Sequence, residues 1–160
     1  MSVDMFLKIK GIDGESVDSV HAKEIDLAAW SWGMSQSGTT HVGRGGGAGK
    51  VSVQDISVTK YIDKSTPNLI KACCNGKHFD EAVLTVRKAG EKPLEYVVLT
   101  MKDVIISNVS QGGSGGEDRL TETVTLNFAE FSYVYVPQKK DGGPDGKVEA
   151  TFNIATNSEK

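Results

Sequence analysis

The amino-acid sequence predicts a mainly β fold: a β-barrel or sandwich of about eight strands with one short flanking α-helix. Along most of the chain, apolar and polar residues alternate with a period of two, which is the pattern of a half-buried strand. Glycine, at 18 of 160 residues, gathers mainly in three clusters between the alternating runs, as is typical of turns and loops. The length is that of one domain, so we assign residues 1–160 to a single unit.

The longest alternation, over residues 24–37, predicts one strand with two different sides. Trp30 and Trp32 lie on one side, and small or hydroxyl-bearing residues such as Ser31 lie on the other. The bulky side is expected to pack inward, and the small side suits an open, wet surface. The other alternating runs cover residues 5–10, 51–58, 82–87, 94–109, 120–135 and 148–154. Breaks in the pattern predict irregularities at two places, Gln54–Asp55 and Lys102–Asp103.

One segment has helical spacing instead. Ser65 supplies a capping hydroxyl, Pro67 suits the first turn, and Gly76 supplies a left-handed stop. The apolar residues that share one helical face are Leu69, Ile70, Cys73 and Cys74. A helix of about eight residues does not hold alone in water, so we expect it to dock on the sheet, with both cysteines as core thiols.

The composition argues against nucleic-acid and membrane partners. The net charge is −3, and 15 lysines and three arginines are scattered among 21 acidic residues. Nucleic-acid binders instead concentrate their cations on one face. No apolar run approaches the roughly 20 residues that span a bilayer. The first residues lack the pattern of a cleavable secretory signal, so we expect none, and two adjacent cysteines suit folding in a reducing compartment.

Each enzyme-like motif lacks the context that its chemistry needs. In residues 41–51, a phosphate-binding loop would require glycine where Arg44 stands and Ser or Thr where Val51 follows the lysine. Ser114 satisfies a G-x-S-x-G pattern, but that nucleophile needs a later histidine and none follows. The three histidines have no metal-ligand spacing, and the cysteine pair has no second pair. We therefore predict that the protein is not an enzyme and has no catalytic residue, metal or cofactor.

The long strands instead predict assembly with further copies of the chain. A strand edge carries unpaired N–H and C=O groups, and these strands contain no proline that would block pairing with a neighbour. Edge pairing between subunits would satisfy those groups. A head-to-tail contact that closes produces a ring, and rings can stack. Flexible glycine loops at the strand ends would then reach across to neighbouring subunits.

Four stretches of sequence resemble the haemolysin-coregulated protein (Hcp) family, the tube component of the bacterial type VI secretion system. They are AWSWGMSQSG at residues 29–38, GGGAGKVSVQDISVTKYIDKSTPNL at 45–69, RKAG at 87–90 and GGSGGEDRLTETVTLNF at 112–128. The resemblance extends over nearly the whole chain and is weakest in residues 139–160. The motifs are long and specific, so the chain is identified as a member of this family.

This resemblance implies a β-barrel related to phage tail-tube proteins and a structural function. Six subunits would form a ring, and stacked rings would form an inner tube that a contractile sheath expels. The implied partners are further copies of the chain, the spike protein at the tube tip, the sheath, and effector proteins that are carried and chaperoned in the lumen. The resemblance also implies a protein made in the bacterial cytoplasm and then secreted without a cleaved signal.

The candidate site residues follow from this hypothesis. Ser31, on the small side of its strand, is the candidate for contact with cargo in the lumen. The candidates for contact with a neighbouring subunit or ring are Gly43, Arg44, Gly45, Gly46 and Gly47. The alternative from another class is a β-domain that binds a small molecule or carbohydrate through aromatic residues. Its candidates are Trp30, Trp32, Tyr133 and Tyr135.

Overall fold

The structure, a computed structural model, describes residues 2–37 and 50–159 of the chain. Within these ranges it contains eleven strands and one helix, which confirms the mainly β fold class. The strands are β1 (Val3–Ile9), β2 (Ile25–Asp26), β3 (Ala29–Ser31), β4 (Met34–Ser35), β5 (Ser52–Val53), β6 (Ile56–Tyr61), β7 (His78–Lys88), β8 (Leu94–Gln111), β9 (Thr121–Tyr135), β10 (Val148–Asn153) and β11 (Ser158–Glu159). The helix α1 is Thr66–Asn75. The count exceeds the predicted eight because five strands have only two or three residues.

One antiparallel sheet contains nine of the strands. Its main path runs β2, β1, β7, β8, β9, β10 and β11. Strand β9 has 15 residues, so two strands pair with it one after the other. Residues 121–126 pair with β6, which in turn pairs with β3, and residues 130–135 pair with β10. Strands β4 and β5 form a separate two-stranded ladder.

Residues 25–31 pass from a pairing with β1, near one end of the sheet, to a pairing with β6. Strand β2 pairs with β1, the Leu27 N–H donates to Met5 O at 3.0 Å, and the Ala28 N–H donates to Thr59 O at 2.8 Å. Strand β3 then continues along β6. The prediction of one strand over residues 24–37 is therefore wrong, because the chain changes its partner midway. Within the described ranges no continuous ladder joins the two ends of the sheet, so the sheet is not closed.

The core consists of inward-facing side chains from six strands and helix α1, and in the strands it follows the predicted alternation. In β9, Val124, Leu126 and Phe128 are buried while the residues between them are half-buried or exposed. The other apolar residues with an exposed fraction of at most 1% are Leu7, Ile25, Ile56, Val58, Leu69, Ala82, Leu84, Leu99, Met101 and Val104. Each large apolar side chain buried in this way contributes roughly 1.5–3 kcal/mol, which makes this cluster the main source of stability.

The two predicted irregularities are both present in altered form. Residues 54–55 separate β5 from β6 as a break rather than a bulge within one strand. Strand β8 continues through residues 102–103, but Asp103 has φ of 55° and no partner in the ladder to either neighbouring strand. Aspartate tolerates this left-handed conformation better than most residues. A third irregularity, at Ser107 in β8, was not predicted from the sequence.

Helix α1 packs on β8 and confirms part of the prediction. Gly76 has φ of 68°, and its N–H donates to Ala72 O at 3.0 Å, as a glycine helix stop requires. Ser65 makes no side-chain capping bond; its hydroxyl donates to Asp63 instead. The predicted buried face was wrong in part, because Leu69 and Ala72 face the core while Ile70 and Cys74 are exposed and Cys73 is half-buried. The two cysteines are therefore not both core thiols.

Candidate assembly surface

Eight small or polar residues form one side of the sheet around β3 and β6; we call this surface the small-residue face. They are Ala29 and Ser31 on β3, Ser57 and Thr59 on β6, Thr123 and Thr125 on β9, and Asn108 and Ser110 on β8. Residues directly opposite each other in an antiparallel ladder lie on the same side of the sheet. The registers place them in two rows, Ala29–Thr59–Thr123–Ser110 and Ser31–Ser57–Thr125–Asn108. All eight are exposed or half-buried.

The intermediate row points the other way and explains why the face is so uniform. Trp30, Val58, Val124 and Val109 are the residues between the two polar rows. Val58 and Val124 are fully buried, and Trp30 packs against the core. The two sides predicted for residues 30–31 are therefore present, with Trp30 inward and Ser31 exposed. The face thus carries hydroxyl, amide and methyl groups over a buried apolar layer and presents no large apolar side chain in its two polar rows.

At one end of the small-residue face, a hydrogen-bonded network connects side chains from β8 and β9 with Asp55. The Ser107 hydroxyl donates to Asp55 Oδ2 at 2.6 Å and lies 2.6 Å from Thr125 Oγ1. The other Asp55 oxygen accepts from Asn127 Nδ2 at 2.8 Å. The Ser107 irregularity in β8 brings this hydroxyl toward Thr125, so the bulge orders the side chains at this end.

The five glycine-loop candidates, Gly43, Arg44, Gly45, Gly46 and Gly47, lie outside the described residues. The described residues on either side of this segment, Ser37 and Lys50, are exposed. The nearest strands before and after the segment, β4 and β5, pair with each other in one short ladder. Their assignment to subunit contacts stays a prediction.

The aromatic residues considered for ligand binding are engaged mainly with other side chains. The Trp32 ring lies 4.9 Å from Phe131 in an edge-to-face arrangement and 6.4 Å from Tyr133, and its Nε1–H donates to Gln54 O at 2.9 Å. Tyr135 makes an edge-to-face contact with Tyr96. Rings packed in this way favour a structural function over ligand binding, because a ligand would have to displace side chains that already stabilise each other.

A cavity of about 670 Å³ lies elsewhere, between the β4–β5 ladder and the β10–β11 pair. Its lining contains Met34, Val53, Phe131 and Phe152 together with Glu149 and Glu159. None of Trp30, Trp32, Tyr133 and Tyr135 lines this cavity. The four aromatic candidates are thus not brought together there as the sugar-binding interpretation requires.

The side chains weighed for catalysis are separated in space. Ser114 lies in an exposed turn, and its hydroxyl accepts a hydrogen bond from Gly116 N–H at 3.4 Å. His21 and His78, the two histidines in the described part of the chain, contact carboxylates rather than Ser114. In the same ranges, no group of three or more His, Cys, Asp or Glu side chains is placed to hold a metal ion. No helix among residues 2–37 and 50–159 is long and apolar enough to cross a membrane.

The comparison with known proteins assigns the chain to a family. Residues 6–135 match the family model described as type VI secretion system effector, Hcp. Protein hcp1 of Pseudomonas aeruginosa is 63% identical over 159 residues, which are 98% of each chain. The chain belongs to the Hcp family. The resemblance inferred from the four sequence stretches is therefore confirmed.

Solved structures agree with this assignment of the fold. A structure described as a type six secretion system protein has a TM-score of 0.93 at 28% identity and covers 99% of this chain and 100% of its own. Hcp1 from Salmonella typhimurium has a TM-score of 0.81 at 37% identity, with 100% of both chains covered. As an Hcp protein the chain is a secreted component of type VI secretion, from a family of structural tube proteins rather than of enzymes.

Sequence reasoning missed two charged clusters of this Hcp protein. Arg87 binds Asp18 and Asp4, which are distant in sequence, and Lys60 is buried beside Glu122. The partners are 62 to 83 residues apart in the chain. The register of the sheet places Lys60 opposite Glu122 and Arg87 opposite Asp4. No spacing rule finds such pairs, although a lysine in the alternating run 56–61 at an inward position was a signal that it needed a buried acid.

Proposed function

We propose that this protein is the structural subunit of the inner tube of a type VI secretion system. Its single domain, residues 1–160, assembles with five further copies into a ring, and the rings stack into a tube. The contractile sheath expels the tube with the spike protein at its tip, and effector proteins travel in the lumen. The protein has no enzymatic activity and needs no cofactor in this function.

The small-residue face is the observation that carries this proposal. A tube lumen must be wetted and must release its cargo, so its lining has to present polar groups without large apolar patches. The face meets this need over four adjacent strands, with rows of hydroxyl and amide groups above a buried apolar layer. A rigid sheet also holds that lining in one shape, because a fully bonded ladder bends little compared with a loop.

The assembly can be tested by electron microscopy of the purified protein beside a variant lacking Gly45–Gly47. We expect rings for the wild type, and fewer rings and tubes for the deletion, because the loop would no longer reach a neighbour. Circular dichroism checks that the deletion variant keeps the fold, and a deletion of Gly142–Gly143 in another glycine turn is the control. A wild type that stays monomeric at high micromolar concentration would overturn the tube proposal. Unchanged rings in the Gly45–Gly47 variant would overturn the loop assignment alone.

Ser31→Tyr is expected to reduce cargo loading at least tenfold while leaving the ring intact. Ser31 is exposed at the end of β3, so a larger side chain there narrows the small-residue face without filling the core. Co-purification of a cognate effector with the ring measures loading, and electron microscopy counts rings. Ser158→Tyr, at an exposed position of β11, is the matched control and should load normally. Normal loading by the Ser31 variant would mean that Ser31 does not face the cargo.

A further inference from the structure

Residues 13–24 form a hairpin-like arm that folds back on itself between β1 and β2. The Gly14 N–H donates to Lys23 O at 2.7 Å, the Lys23 N–H to Ser16 O at 2.8 Å, and the Ser16 N–H to Glu24 O at 3.0 Å. A Cβ at Gly14 would lie only 2.5 Å from Glu24 O, so the two sides of the arm approach as closely as glycine allows. The tip of the arm exposes Val17 almost completely, at 97%.

His21 lies at the base of this arm with a carboxylate at each ring nitrogen. Its Nδ1 is 2.8 Å from Glu24 Oε2, and its Nε2 is 2.5 Å from Glu95 Oε1 on β8. A neutral imidazole has one N–H and therefore donates only one hydrogen bond, whereas carboxylates only accept. Both contacts are satisfied together only by the imidazolium, which donates at both nitrogens. The side chain is 9% exposed, so water does not replace a lost partner easily.

The surroundings of His21 favour its charged form. Its ring stacks on Phe6 with centroids 4.4 Å apart, and the Arg87 guanidinium lies over the same Phe6 ring at 5.1 Å. The charged groups that surround these rings from the arm, β1, β7 and β8 are Asp18, Glu24, Asp4, Arg87 and Glu95. Four of these five are carboxylates, so a second cation beside Arg87 is still balanced by negative charge.

An ion pair between Arg87 and Asp18, which we call the Arg87–Asp18 clamp, holds the tip of the arm. Neither of its partners titrates near neutral pH. Arg87 Nη1 and Nη2 donate to the two oxygens of Asp18 at 3.0 and 2.7 Å. The Arg87 hydrogen bonds hold the pKa of Asp18 well below its usual range despite the opposing effect of burial. Both partners therefore stay charged over the range in which histidine titrates. Of the two sets of contacts that hold the arm, only the one at His21 therefore depends on pH in this range.

We propose that His21 is a pH-sensitive catch that fastens the base of the arm to β8 as an imidazolium and releases it when the proton leaves. On deprotonation one carboxylate faces a ring lone pair at hydrogen-bond distance, and the resulting repulsion separates Glu95 or Glu24 from the ring. The Arg87–Asp18 clamp keeps the tip attached, so the arm loosens without unfolding. The position of exposed Val17 and Val20, and any contact made through them, then depends on pH.

The direction of the pH effect follows from two opposing influences on the pKa of His21, burial and the neighbouring carboxylates. Burial alone lowers the pKa of His21, but the hydrogen bonds and charges of Glu24 and Glu95 outweigh it, so the pKa lies above its ordinary value of 6.5. The contribution of the catch to stability is therefore complete below pH 6.5 and is lost as the pH rises through the raised value. The arm is therefore closed below pH 6.5 and loosens as the pH rises through the raised pKa of His21.

Hydrogen–deuterium exchange of the whole protein, measured by mass spectrometry from pH 5.5 to 9, tests the catch. Exchange at the histidine ring carbon reports the pKa of His21, and amide exchange of the arm peptide, corrected for its intrinsic pH dependence, reports opening. We expect a pKa above 6.5, and arm protection that falls about tenfold for each unit by which that pKa exceeds 6.5. The protection of β8 and β9 peptides should stay constant over the same range.

Three variants separate the catch from ordinary packing. Glu95→Gln should lower the His21 pKa by about one unit, because one charged partner is removed. His21→Gln should make arm protection independent of pH. His78→Gln is the matched control, since His78 pairs with Asp103 at 2.9 Å but both side chains are exposed, and it should leave the arm profile unchanged. A His21 pKa at or below 6.5, or a flat arm profile in the wild type, would overturn the proposal even if a variant fails to fold.

Discussion

Lys60→Met is expected to lower the free energy of unfolding by about 3 kcal/mol, because it leaves a buried carboxylate without its cation. Lys60 is 0% and Glu122 2% exposed, and the two lie opposite each other in the β6–β9 ladder. The Lys60 ammonium binds Glu122 and also contacts Asp63 Oδ1 at 3.0 Å and Tyr61 O at 2.9 Å. Urea denaturation at one fixed protein concentration measures the loss.

The same substitution should change how stability depends on pH. Burial alone raises the pKa of Glu122, but the bonds from Lys60, Thr66 and Gln111 outweigh it and hold the pKa below 4.5. In the wild type this contribution is present above pH 4.5 and is lost as the pH falls through the lowered value. In the variant the burial remains without the ammonium, so the pKa of Glu122 rises. The destabilisation measured at pH 7.5 should therefore shrink at pH 5.

Two further variants test whether the unpaired charge of Glu122 causes the loss of stability. Lys60→Met combined with Glu122→Leu should recover most of the lost stability, since an apolar pair of similar volume replaces the ion pair. Lys147→Met removes the exposed partner of Glu149 at 3.8 Å, and its stability should match that of the wild type within error. Equal losses for Lys60→Met and the double variant would show that lysine packing, rather than the unpaired charge, causes the effect.

Most strands could be predicted because each buries one side. In residues 122–128 of β9 and 56–60 of β6 every second residue is buried, and apart from the paired Lys60 and Glu122 these residues are apolar. The alternation is therefore visible in the sequence without any knowledge of pairing. The segment 24–37 was misjudged for the same reason. Its alternation continues while the chain leaves β1, crosses to β6 and then pairs β4 with β5, and a period of two says nothing about which partner a strand has.

The small-residue face could be predicted only strand by strand. The sequence shows Ser31 on the polar side of its own run, but its neighbours Ser57, Thr125 and Asn108 come from three other strands. Their alignment depends on the registers and on the irregularity at Ser107 in β8. A one-residue shift in any register would turn its residues to the buried side, so the face is a property of the folded sheet and not of any segment.

Trp32→Ala is expected to lower the free energy of unfolding by about 3 kcal/mol, a loss comparable to that of Lys60→Met. Trp32 lies between β3 and β4 and contacts three rings of β9, with ring centroids at 4.9 Å from Phe131, 6.2 Å from Phe128 and 6.4 Å from Tyr133. Each such aromatic pair contributes about 0.5–1.5 kcal/mol beyond the buried area. The alanine variant loses all three contacts and the hydrogen bond to Gln54 O. Urea denaturation measures the loss, and near-ultraviolet circular dichroism reports the aromatic packing.

The size of this loss also decides between a structural and a ligand-binding function of the cluster. Binding-site aromatics are exposed to receive a ligand, so their removal costs affinity but little stability, whereas packed rings cost stability. Trp32→Phe should retain more stability than Trp32→Ala, because it keeps one aromatic ring in the cluster and loses only the second ring of the indole and its N–H. Tyr135→Ala, at 43% exposure, is the control and should cost clearly less than Trp32→Ala. A Trp32→Ala variant as stable as the wild type would contradict the packed cluster and favour the carbohydrate-binding alternative.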